Sequence, residues 1–270
     1  MPEPLPCPSL VELLSEVIAG RASLDELTRQ IAISRDPVGA IDGATIDLGR
    51  RNRCGFSEVI YGQGKSADLI TRIITTQIAA GEDALVTRID GEIADRVAAG
   101  FPHTHVNRVG RTLRVSTAAI EKSSTPDVAQ EMHAAVITAG STDRPVAEEA
   151  IETLQWMGVP VARYDDIGVA GPQRLLAAVP NLRHASAVVV IAGMEGALPS
   201  VVAGHLAVPI FAVPTSVGYG ASLGGLTPLL GMLSACASNV AVVNIDAGFK
   251  GGYLAGMVVS QLRTLRESKS

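Results

Sequence analysis

Aromatic residues make up only 3% of the 270-residue chain and charged residues only 18%, against 47% hydrophobic residues. A core of that composition is built from Ala, Val, Ile and Leu in close packing, which suits parallel strands covered by helices on both faces. Excess positive charge is missing as well. A formal net charge of −5 gives no overall attraction to phosphate backbones or anionic lipid, so nucleic acid and membrane surfaces are poor principal partners. Cysteines are few and scattered: Cys7, Cys54 and Cys236 are odd in number and lack paired metal-site spacing. That fits reduced thiols in a cytosol and argues against a disulfide framework. Long unbroken apolar runs are absent too, since the stretch 185–213 is interrupted by Glu195, Pro199, His205 and Pro209, which argues against a membrane span. The proline-rich residues 1–8 have no basic region followed by an apolar one and do not read as a secretory signal, so a cytoplasmic location is expected.

A chain of 270 residues exceeds the usual size of one compact domain, and two are expected. Ser9 with Glu12, and Ser23 with Glu26, form capping-box patterns ahead of apolar positions at helical spacing, which predicts a helical pair at the start. From residue 46 to 115 the pattern alternates: 57–61 reads as strand, 66–80 as helix, 84–89 as strand, 91–99 as helix and 105–115 as a hairpin around Gly110. This predicts a small α+β domain. Residues 118–127, rich in Ser and Thr and without a sustained period, mark the boundary, giving domains 1–125 and 126–270. Beyond it, strand-like runs at 134–138, 160–164, 187–192, 209–213 and 240–245 each precede a loop and a helical segment. That repeat predicts a flavodoxin-like, doubly wound parallel sheet, with ligands in the crevice outside the carboxyl ends of its strands.

The polar, glycine-rich loops fall at those ends. After the first strand come Gly140, Ser141, Thr142 and Asp143, then Arg144 and Pro145 open a helix. Such a loop presents backbone N–H groups and hydroxyls to a phosphate or carboxylate, although Ser141 or Asp143 reads equally well as a helix cap. After the third strand come Gly193, Met194, Glu195 and Gly196, where burial would raise the Glu195 pKa and suit it to proton transfer; a favourable helix-terminal charge is the plainer alternative. After the fourth come Ser216, Gly218 and Tyr219, a composition that suits close backbone approach to a ligand and also an ordinary surface loop.

Cys236 stands among small residues before the last strand, where it reads either as a nucleophile or as an inert core thiol. Gly62-Gln63-Gly64-Lys65-Ser66 suggests a phosphate-binding loop, but the glycine that motif requires five residues before Gly64 is Val59, so an ATPase reading is weak. His103 and His105 have no third ligand in pattern and read as ordinary histidines.

Taken together, GFSEVIYGQGKS, TAGSTDRPVAEEA, GVAGPQRLL, AGMEGALPSVVAG, PTSVGYGASLGG and LSACASNVAVVNIDAGF resemble the carboxylase/hydrolase of nickel-pincer nucleotide cofactor biosynthesis, the LarB family. The resemblance runs from about residue 50 to 249, and its C-terminal half is similar to the aminoimidazole ribonucleotide carboxylase fold. It implies an enzyme that carboxylates the pyridinium ring of nicotinic acid adenine dinucleotide with CO2 and hydrolyses the phosphoanhydride. The products would be pyridinium-3,5-biscarboxylic acid mononucleotide and AMP, formed through a transient cysteinyl-pyridine adduct.

Carried residue by residue, the resemblance makes Cys236 the nucleophile, Glu195 and Asp143 the acid/base carboxylates, and Ser141 a binding residue beside Gly140, Thr142, Gly193, Met194, Gly196, Ser216, Gly218 and Tyr219. It implies a homo-oligomer, an octamer, with no tightly bound cofactor and an option for a divalent ion such as Mg2+ in the hydrolytic step. Two departures stand out. Where the purine-pathway carboxylases carry a Ser-Ala-His-Arg loop with their catalytic histidine, this chain has Gly168-Val169-Ala170-Gly171, which contains no histidine. Ala247 and Lys250 stand where Asn and a small residue are more usual in the family. Aminoimidazole ribonucleotide carboxylation is the alternative enzyme reading, and a non-catalytic dinucleotide-binding sensor is the alternative of another class.

Overall fold

The structure is a computed structural model that describes residues 10–25, 27, 28, 37–120 and 126–268. Cys7, Ser9 and Glu26 lie outside the described residues, as does the side chain of Glu12, so neither capping box falls wholly within them. A helix, α1 (Leu10–Ile18), opens the chain, and Leu24, Asp25, Leu27 and Thr28 are also helical.

A hairpin absent from the sequence reading follows. Strands β1 (Val38–Ile41) and β2 (Ala44–Asp47) pair antiparallel around Asp42-Gly43, with Gly43 in the left-handed region at φ 86°. Asp-Gly is the dipeptide such a tight turn favours. The short α2 (Arg50–Cys54) was likewise unforeseen. Next come β3 (Ile60–Tyr61), α3 (Ala67–Ala79), β4 (Ala84–Thr87), α4 (Gly91–Ala98), β5 (Thr104–Asn107) and β6 (Thr112–Val115). The four strands form a mixed sheet in the order β3-β4-β6-β5, with β5 and β6 making the hairpin expected around Gly110. Ser66 starts α3 by accepting a hydrogen bond from the Leu69 N–H, and Ile70, Ile73 and Ile74 pack from one face of that helix into the core.

The second half repeats strand and helix: β7 (Ala134–Thr138), α5 (Arg144–Trp156), β8 (Val161–Tyr164), α6 (Pro172–Leu182), β9 (Ala187–Ala192), α7 (Leu198–Ala203), β10 (Ile210–Pro214), α8 (Leu226–Leu233), β11 (Val240–Val242) and α9 (Gly248–Glu267). All five strands are parallel, in the order β11-β10-β9-β7-β8. This is the doubly wound, flavodoxin-like arrangement expected from the sequence. Every residue of β7, β9 and β10 is buried, because helices cover both faces. Val136, Val189 and Val213 point into one core with α5 and α9, whereas Ile137, Val190 and Ala212 point into the other with α6 and α7. The last strand is much shorter than expected, because residues 244–246 leave the sheet and turn over its carboxyl edge, where the Asp246 N–H reaches the Pro214 carbonyl at 2.8 Å, while β8 starts one residue later than expected. Among the described residues no helix is long and apolar enough to cross a membrane.

The two sheets meet along α5, whose inner face carries three buried carboxylates, Glu148, Glu149 and Glu152. Arg88 Nε donates to Glu149 Oε1 at 2.8 Å, Arg114 pairs with Glu152 at 2.7 Å, and Asn107 Nδ2 donates to Glu148 at 2.9 Å and Glu152 at 3.1 Å. His105, read as an ordinary histidine, belongs to this seam, 3.0 Å from Glu152. The indole N–H of Trp156, the only tryptophan, donates to the Asp83 carbonyl at 3.0 Å. Gly110, at the β5–β6 tip, sits so close to α5 that a Cβ there would meet the Glu148 backbone carbon at 3.0 Å.

Burial alone would raise the carboxyl pKa of Glu152, but His105, Arg114 and Asn107 outweigh it and hold it below the ordinary carboxylate range. Glu148 behaves alike through Asn107, Arg163 and Arg144. Groups held low stabilise the fold above their unfolded pKa, and the contribution is lost as pH falls through the folded value. Acidification below about pH 4 should therefore undock the domains first, seen as a change in Trp156 fluorescence ahead of the loss of helical circular dichroism. Glu149→Ala, which strands Arg88 in the seam, should cost about 3 kcal/mol in chemical denaturation at neutral pH.

Candidate active site

The chain crosses from β8 to β9 over β7, so the loops after β7 and β9 diverge and leave a crevice at the carboxyl edge of the sheet. Three loops line it. The loop after β7 folds on itself: the Gly140 N–H donates to Asp143 Oδ2 at 2.9 Å, and the Asp143 N–H returns a bond to the Gly140 carbonyl at 3.2 Å. The other carboxylate oxygen of Asp143 accepts from the Thr215 hydroxyl at 2.8 Å, tying this loop to the one after β10. The loop after β9 joins them, since the Met194 N–H donates to the Val217 carbonyl at 3.0 Å. Gly193 makes that approach possible, because a Cβ there would lie 2.3 Å from the Val217 oxygen.

Asp143 is 2% exposed; its side chain makes no capping bond within α5, but it caps the 3-10 turn 141–143 that leads into that helix by accepting the Gly140 N–H, which bears out the cap reading. Burial pushes its carboxyl pKa up; the bonds from Thr215 and Gly140 oppose the rise without cancelling it, and nearby Asp246 adds to it. Each oxygen retains a second lone-pair direction beyond the bond it accepts, so the carboxylate has acceptor capacity left over. Glu195 is exposed, contrary to the burial its apolar strand suggested, so the buried carboxylate at this edge is Asp143. Its backbone lies over α8, where a Cβ on Gly231 would meet the Glu195 carbonyl at 2.7 Å. Ser141, Thr142, Ser216 and Gly218 are exposed along the rim, and Tyr219 is 82% exposed.

Cys236 is exposed, which sets aside the inert core thiol. It occupies the segment 234–239 that leaves α8 and enters the amino end of β11, where Asn239 Nδ2 is pinned to the Leu206 and Val208 carbonyls at 3.0 and 3.1 Å. The crevice lies at the other edge of the sheet. Within one chain, then, the loops bearing Gly140, Asp143, Gly193, Met194 and Ser216 converge, and Cys236 is joined to them only along α8.

Lys65 is not part of this site. Its ammonium bonds the Tyr61 carbonyl at 2.7 Å and caps its own turn. Among the described residues no group of three or more His, Cys, Asp or Glu side chains gathers to hold a metal ion. Sequence reasoning overlooked Thr215 and Asp246, although both stand in the PTSVGYG and NIDAGF stretches it singled out. The Asp246 carboxylate accepts the Ser216 N–H at 2.8 Å.

Residues 38–117 match the LarB/PurE-like N-terminal domain, and residues 133–269 match AIR carboxylase. The chain belongs to the LarB family. An uncharacterized protein of Methanocaldococcus jannaschii is 36% identical over 257 residues, which cover 93% of this chain and 96% of that one. Treponema denticola PurE, a solved structure, is 16% identical with a TM-score of 0.40, over 52% of this chain and 94% of its own. A substituted form of PurE from the same organism is 17% identical with a TM-score of 0.39 over the same shares. Membership in the LarB family makes the chain an enzyme of carboxylase type.

The crevice of this LarB-family chain therefore holds one carboxylate that folding keeps against its preference for water. Replacing it with a neutral isostere should stabilise the protein. A group whose folded pKa is raised contributes fully below the unfolded value and loses that contribution as pH rises through the folded one. Asp143→Asn should accordingly raise the melting temperature by roughly 2–4 °C at pH 7, with the gain vanishing below about pH 4, and should abolish carboxylation.

Proposed function

We propose that this enzyme adds a carboxyl group from CO2 to the pyridinium ring of nicotinic acid adenine dinucleotide and hydrolyses the phosphoanhydride, releasing AMP and pyridinium-3,5-biscarboxylic acid mononucleotide. The observation that carries the reading is the union, in one chain, of a LarB-type N-terminal domain with an AIR carboxylase domain whose crevice holds the buried Asp143. The loop at Val169 supports it further. The loop holds no histidine, which the purine-pathway reaction needs there, and its half-buried valine packs against the core.

The chemistry follows from the ring. A pyridinium is too electron-poor to attack CO2, so the Cys236 thiolate first adds to a ring carbon, and the new C–S bond leaves a neutral, enamine-like dihydropyridine. Its nucleophilic carbon attacks CO2 and forms the C–C bond. A carboxylate, Asp143 or Glu195, then takes the ring proton at that carbon, and the C–S electron pair returns to sulfur as aromaticity is restored. No net oxidation occurs, because a ring proton is exchanged for a carboxylate. Water then cleaves the phosphoanhydride, with Ser141 and the amides of the 140–143 loop placed to hold an anionic oxygen. The scheme contains no tightly bound cofactor.

Cys236 does not reach the crevice of its own chain, and a homo-oligomer, proposed as an octamer, resolves this. Leu223, Leu226, Leu230 and Leu233 form an exposed apolar face beside the segment that carries Cys236. Such a face suits burial against another copy of the chain.

The test is mass spectrometry of the protein incubated with the dinucleotide and bicarbonate. AMP, the biscarboxylated mononucleotide and an adduct on Cys236 are expected, with carboxylation lost in Cys236→Ala and dinucleotide binding retained. Normal turnover by that variant would remove Cys236 from the mechanism. Binding with neither product nor adduct would identify a sensor, and product from aminoimidazole ribonucleotide would return the purine-pathway reading.

A further inference from the structure

Beside the crevice, and opening from its rim, lies a cavity of about 220 Å³ walled by both domains. Arg88, Gly110 and Arg111 come from the N-terminal sheet; Thr142, Ser216 and Asp246 come from the loops at the carboxyl edge. Three of the six non-glycine residues with left-handed backbones among the described residues, Arg88, Arg111 and Asp246, line this one cavity, at φ of 54°, 53° and 56°. Each costs on the order of 1 kcal/mol relative to an ordinary conformation, and such costs gather where geometry serves binding. The two arginines are coupled, since the Ile89 N–H donates to the Arg111 carbonyl at 2.9 Å.

The charges on the wall are unequally committed. Arg88 is spent on Glu149 and on the Asp246 carbonyl. Asp246 is held back by the Ser216 N–H, which leaves its second oxygen to accept from a hydroxyl such as that of a ribose. Arg111 is exposed and has no ion-pair partner among the described residues, and the hydroxyl-bearing Thr142 and Ser216 line the same cavity. A planar cation that shares a cavity with hydroxyls and the start of α5 is a receptor for a phosphate oxygen. The volume admits one phosphate with its ribose end and excludes a whole dinucleotide, whose remainder would extend along the crevice.

We propose that the N-terminal domain forms one wall of the substrate site, with Arg111 binding a phosphate of the phosphoanhydride and so selecting a dinucleotide over a mononucleotide. This deepens the proposed function and rests on its reading of the crevice as a nucleotide site. Docking of Gly110 against α5 carries the arginine there, so the domain acts on specificity without entering the chemistry.

The experiment compares the full-length protein with Arg111→Gln and Arg111→Lys, using nicotinic acid adenine dinucleotide, nicotinic acid mononucleotide and inorganic pyrophosphate as probes in calorimetric titration, with KM and kcat followed in parallel. Arg111→Gln should weaken dinucleotide and pyrophosphate binding about tenfold or more, raise KM more than it lowers kcat, and leave mononucleotide binding and the melting temperature unchanged, with partial recovery in Arg111→Lys. Wild-type turnover of the dinucleotide with an unaltered KM in Arg111→Gln would overturn the role of Arg111 and leave the proposed function standing. Pyrophosphate binding that depends on Arg111, in a protein that does not turn over the dinucleotide, would keep the anion site and overturn the reaction.

Discussion

Three carboxylates on one helix face, removed from water, set the terms for the rest of the molecule. Glu148, Glu149 and Glu152 are held inside the protein by arginine, asparagine and histidine side chains of the N-terminal half, joined at Glu148 by Arg144 and Arg163 of its own half. Apolar burial builds each domain and also crosses between them where Phe56 packs on Trp156 and Tyr253, while these directed bonds add fixed partners along the seam. They bring the β5–β6 tip to the start of α5 and leave Arg88 and Arg111 overlooking the carboxyl edge of the parallel sheet. The position of the cavity thus follows from charge pairing as well as hydrophobic packing.

At that edge the same economy recurs on a smaller scale. Asp143 is buried with hydrogen bonds to both oxygens, and it stitches together the loops after β7 and β10. A carboxylate so placed is held in one position and, by burial, raised in basicity, both of which suit proton transfer.

Much of this was legible in the sequence. The runs at Ala134–Thr138 and Ala187–Ala192, apolar but for Thr138, lie in parallel strands buried on both faces, and their glycine-rich exits line the crevice as the doubly wound topology requires. The hairpin at Asp42-Gly43 carried its own turn signal but preceded the point where the pattern was read as alternating. Burial of the α5 glutamates was not legible, since GluGlu at a helix start reads as a solvated face until a second domain is laid on it. The left-handed arginines leave no mark in composition or spacing, since the residue type there is not the glycine or asparagine that usually signals such a backbone. Cys236 was legible as a residue to single out, whereas its distance from the crevice depends on which end of β11 its loop enters.

The tight seat of Gly110 on α5 has an evolutionary consequence. With no room even for a methyl group between the hairpin tip and the helix backbone, and with Glu149 and Glu152 ion-paired to arginines of the N-terminal half, the two halves are not interchangeable modules. A catalytic half inherited without its matching partner would carry orphaned charges through its flank, so descent should have kept the pair together and let them change only in step.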